Sequence, residues 1–168
     1  SKQKLDFVYF DHGAGRCHED AHLAEELQLF GEDGASLVVS RCLFPGRPVF
    51  LGYASSAPNI SMELVPLAVE GYRDTAQAGH RHRPLQIEDW LAVCRLPRSP
   101  PGLGPVVPSQ LSAIAPPCWE LMWEIETVAQ RARTGPIDWG AFASHVRDAT
   151  LALGFRPNTE SEWLRAGG

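Results

Sequence analysis

Seven of the fourteen prolines in this 168-residue chain fall in the 22 residues from Leu96 to Pro117. Proline has no backbone N–H and a fixed φ, so that stretch cannot be an ordinary helix or a central strand. It divides the chain into a sheet-rich part, 1–95, a proline-rich connection, 96–117, and a helical part, 118–168. Val106, Val107, Leu111 and Ile114 predict that the connection packs across the surface instead of spanning as a free linker. A length of 168 residues suits a single domain able to bury a sizeable core. Hydrophobic residues at 44% and charged residues at 21% are the balance of a globular protein.

The first part reads mostly as sheet. KLDFVYF is an apolar strand candidate, followed by the glycine turn of DHGAG and a helical stripe at Leu23, Leu27 and Phe30. SLVVSRCLF and PVFLGYAS are apolar runs on either side of Pro45-Gly46, which predicts a hairpin. NISMELV alternates and predicts a further strand ending at Pro66. Leu67 to Ala78 is compatible with a helix begun by that proline, and IEDWLAVCRL is read as a short helix in preference to a buried strand.

Beyond the prolines, periodicity predicts two helices. Residues 118–133 carry Leu121, Ile125, Val128 and Ala132 on one stripe. Residues 138–153 carry Trp139, Phe142, Val146 and Leu153, with Asp138 as N-cap and Gly154 as C′ residue. The Thr134-Gly135-Pro136 turn favours a hairpin of the two. The expected fold is α+β: an N-terminal sheet of three or four mainly antiparallel strands with one helix, then a C-terminal helical hairpin.

The chemistry gathers near the first glycine turn. His18-Glu19-Asp20-Ala21-His22 resembles, over five residues, the HExxH helix of zinc metallopeptidases. That resemblance implies His18 and His22 as zinc ligands and Glu19 as the base that activates a metal-bound water. His12 stands close enough in sequence to join them as a third ligand. The pattern departs from the family in Asp20, in its place at the start of its helix, and in lacking HxxGxxH. His80-Arg81-His82 is a further candidate for a ligand or for anion binding. Cys17, near a helix N-terminus with Arg16 and His18 beside it, meets conditions that lower a thiol pKa. The four cysteines form no CxxC pair, which points to reduced thiols and a cytoplasmic setting.

A second class of function is protein binding. Residues 17–36 hold six acidic residues and no Lys or Arg, so Glu25, Glu26 and their neighbours define an acidic helix suited to a basic partner. All five tryptophans lie in the second half, and Trp119 with Trp123 form a shoulder beside the main stripe of their helix, placed on the other side of the domain from the acidic helix. That shoulder suits a partner protein or a second copy of the chain. A net charge of -5 argues against broad nucleic-acid binding. No apolar run reaches the roughly 20 residues that span a bilayer, so no membrane partner is expected. The reading is therefore a soluble protein-binding module of adaptor, inhibitor or immunity type that needs no cofactor. The alternative is a metal-dependent hydrolase using zinc at His12, His18 and His22.

Overall fold

The computed structural model describes residues 4–11, 16–31, 33–72, 85–96 and 109–160. His12, the His80 to His82 loop, Val106 and Val107 lie outside these residues. Strands β1 (Phe7–Phe10), β2 (Ala35–Val39), β3 (Ser61–Tyr72) and β4 (Leu85–Leu96) form one sheet in the order β1-β2-β4-β3. Helices α1 (Cys17–Glu26) and α2 (Pro48–Ser56) interrupt the strands. The short α3 (Ser109–Ser112), then α4 (Pro116–Arg131) and α5 (Trp139–Ala152) follow them. The fold is α+β, with strands in the N-terminal part and long helices in the C-terminal part.

The sheet is mixed, which corrects the mainly antiparallel expectation. β1 and β2 run parallel, Val8 opposite Leu37 and Phe10 opposite Val39, while β4 is antiparallel to both β2 and β3. Parallel neighbours need a crossover, and α1 supplies it. Among its described residues the first part also holds two helices instead of one. PVFLGYAS is α2, not the second arm of a hairpin. Pro48 to Ala54 are all buried, and a segment buried on every side has no alternation by which helix and strand can be told apart.

Two further segments go the other way. Of the helix expected from Leu67 to Ala78, Leu67 to Tyr72 are the continuation of β3 and 73–78 lie outside the described residues, while IEDWLAVCRL lies within β4. Pro66 does not end its strand because β3 is an edge strand, where a missing N–H costs no ladder bond. The strand expected through SRCLF stops at Val39. A tight irregular turn follows at Cys42–Gly46, with a cis Phe44–Pro45 peptide and Gly46 at φ +114°.

The principal core lies where one sheet face, carrying Leu37, Val39, Leu64, Trp90, Ala92 and Cys94, meets α1, α2 and the start of α4. Leu111 and Ile114 pack against it, so the end of the proline-rich connection is a packed segment as expected. A second cluster joins Phe44 and Ile87 to Leu121 and Ile125 of α4 and to Phe142 and Val146 of α5. The two C-terminal helices thus meet around the 42–46 turn, with Glu124 and His145 paired across them at 2.8 Å. Asp138 caps α5 by accepting from the Ala141 N–H at 2.9 Å, and Gly154 follows it at φ +94°.

Candidate functional site

α1 is held by its small face. Cys17, Ala21 and Ala24 are buried against the core, while Leu23 and Leu27 stay 50% and 56% exposed. Of the stripe expected to pack, Leu23 and Leu27 therefore face solvent, while Phe30, beyond the helix, is half-buried. Its first turn places His18 inward, where the ring meets the edge of Trp119 from α4 at 5.4 Å between centroids and 86° between planes. The acidic helix and the tryptophan helix are therefore neighbours, contrary to their expected separation. Trp119 is half-buried in that contact; Trp123, one turn further along α4, is 64% exposed.

The acidic residues of α1 divide into two kinds. Glu25 turns inward, and its Oε2 accepts from the Tyr53 hydroxyl of α2 at 2.6 Å. Burial pushes the Glu25 carboxyl up, opposed by the Tyr53 hydrogen bond and the His22 charge. Burial also pushes the Tyr53 phenol up, and Glu25 adds to it. Glu19 and Glu26 face solvent, Glu19 pairing with Arg16 at 2.6 Å and Glu26 with His22 at 3.3 Å. At about 100° per residue, Glu26 and Glu19 follow His18 and His22 around the helix.

The HExxH resemblance distributes differently in space. His18 lies under Trp119, His22 stands edge-on to Tyr53 at 6.5 Å, and Glu19 points outward to Arg16. Among the described residues, no three His, Cys, Asp or Glu side chains gather to hold a metal. The Cys17 thiol, expected to be lowered, is raised: burial dominates the opposing pull of the Arg47 charge. All four cysteines are buried, and none is in a disulfide.

A polar network missed in the sequence sits at the carboxyl ends of the parallel strands. Asp11, just after β1, accepts from Ser40 Oγ at 2.6 Å and Arg41 Nε at 2.9 Å, both just after β2. These bonds hold its carboxyl below the usual carboxylate range, with Ser40 the largest cause. Arg47, 4% exposed, donates from Nε to the Ser40 carbonyl at 2.7 Å and from Nη1 to Cys17 Sγ. Its signal in the sequence was a pair of arginines flanking Pro45-Gly46, which a hairpin turn absorbed without remainder. No helix among the described residues is long and apolar enough to cross a membrane. No protein-family model matches the chain, and no curated protein matches it.

Proposed function

We propose that the chain is a protein-binding module whose contact surface spans α1 and α4. The His18–Trp119 contact carries the reading, because it joins the helix that exposes Glu19 and Glu26 to the helix that exposes Trp123. A carboxylate rim around large apolar side chains, here Leu23 and Trp123, suits a partner whose contact face is basic at its edge and apolar at its centre. The rim carboxylates steer approach, and the tryptophan supplies desolvated contact area that holds the complex. Glu25 and Trp119 belong to the support of this surface: each is fixed by a neighbour, Tyr53 and His18 respectively.

The test is recovery of the partner from the source cell followed by binding kinetics with three chains. Glu19→Lys with Glu26→Lys should slow association and weaken its salt dependence. Trp123→Ala should speed dissociation with association little changed. Equal kinetics for all three chains would remove the surface from consideration.

A further inference from the structure

We propose that the cleft between the 41–47 segment and the C-terminal half of α4 binds a small organic anion: an oxyanion head on an apolar body. The cleft encloses about 420 Å³, within the range of small-molecule sites. Met122, Ile125 and Ala129 of α4 with Pro45 give it an apolar wall. Arg41, Arg47 and Arg133 bring three positive charges to its lining against one negative charge, Glu126, in a chain whose net charge is -5.

Two of these guanidiniums are held before any ligand arrives. Arg41 sits at φ +60°, a left-handed backbone rare for a residue with a side chain, and its Nε is fixed by Asp11 at 2.9 Å. Arg47 is buried and fixed by the Ser40 carbonyl at 2.7 Å, with the charges of Asp11 and Asp89 within its influence. Arg133, exposed where it lines the cleft, makes no side-chain ion pair among the described residues, so its fork can turn to an incoming oxyanion. Positioned guanidinium groups lose little freedom on binding, which favours a planar carboxylate or phosphate head. The inference does not depend on the α1–α4 surface.

Calorimetric titration of the full chain with phenyl phosphate, benzoate, inorganic phosphate and benzyl alcohol tests it. Phenyl phosphate or benzoate should bind, the tighter of the two naming the head, while inorganic phosphate, lacking the apolar body, and benzyl alcohol, lacking the charge, bind far more weakly. Arg133→Gln should weaken the anion by about tenfold, as loss of a charge-assisted hydrogen bond does. Ala129→Trp should fill the cleft and abolish binding. Both positions are exposed, so the melting temperature should hold; if the tryptophan variant unfolds, Arg133→Gln alone decides. Benzyl alcohol binding as tightly as benzoate, no binding of either anion at millimolar concentration, or unchanged affinity in Arg133→Gln overturns the proposal.

Discussion

A methyl group placed on Gly46 would stand 2.6 Å from Cδ1 of Ile125 and 3.0 Å from Cγ1 of Val146. The 42–46 turn is thus pressed between α4 and α5 at a residue whose φ of +114° already requires glycine. Gly46→Ala should lower stability by about 1–3 kcal/mol through overpacking, with backbone strain in addition. Urea unfolding measures it; an unchanged midpoint would mean that the helices are not seated on the turn.

Val146 is fully buried in the cluster that joins α5 to Phe44, Ile87, Leu121 and Ile125. Val146→Asp should cost several kcal/mol, since the carboxyl would have to enter an apolar site. A melting temperature equal to that of the parent would contradict the assignment of this face of α5.

Asp89 fastens the same turn to the sheet. Its Oδ1 accepts from the N–H groups of Leu43, Phe44 and Trp90 at 2.9, 3.1 and 2.8 Å, all buried. Asp89→Ala should leave these donors unsatisfied and cost about 2–4 kcal/mol, whereas Asp89→Asn, which keeps an acceptor, should cost less. Equal losses in chemical denaturation would show that the hydrogen bonds are not what the carboxylate contributes.

How this part of the chain folds was hidden for a physical reason. In IEDWLAVCRL the acidic Glu88-Asp89 pair argues for a wet helical start, yet Asp89 is buried because a turn 45 residues away in sequence supplies its donors. Such a partner has no local signal. The C-terminal helices were legible because their stripes, the Asp138 cap and Gly154 are local features. The parallel β1–β2 pair could have been found, since strand, glycine turn, helix and strand stood in order; only their relative direction was misjudged. At the candidate surface, composition marked the acidic helix and the tryptophans, but the His18–Trp119 contact that unites them is tertiary.

Glu25 gives stability a pH dependence of known sign. Burial raises its carboxyl above the ordinary value of 4.5, so the folded chain holds this proton more tightly than the unfolded one. The stabilisation from the neutral acid is present below the unfolded value and is lost as pH rises through the folded one. Glu25→Gln keeps an acceptor for the Tyr53 hydroxyl and has no proton to lose. Its stability relative to the parent should therefore rise as pH increases from the ordinary value of 4.5 through the raised folded one. Parallel stability–pH curves for the two chains would contradict the buried placement of Glu25.

Photo-crosslinking addresses the α1–α4 surface most directly. A photoreactive amino acid placed singly at position 26, 123 or 148 in the full chain reports what each site touches in the source cell. Asp148 is exposed on α5, which is not part of the proposed α1–α4 surface, and serves as the control. The account predicts that positions 26 and 123 capture one and the same protein, and that position 148 does not. Different proteins captured at 26 and 123, or one protein captured at 148 and at neither of the other two, would contradict it.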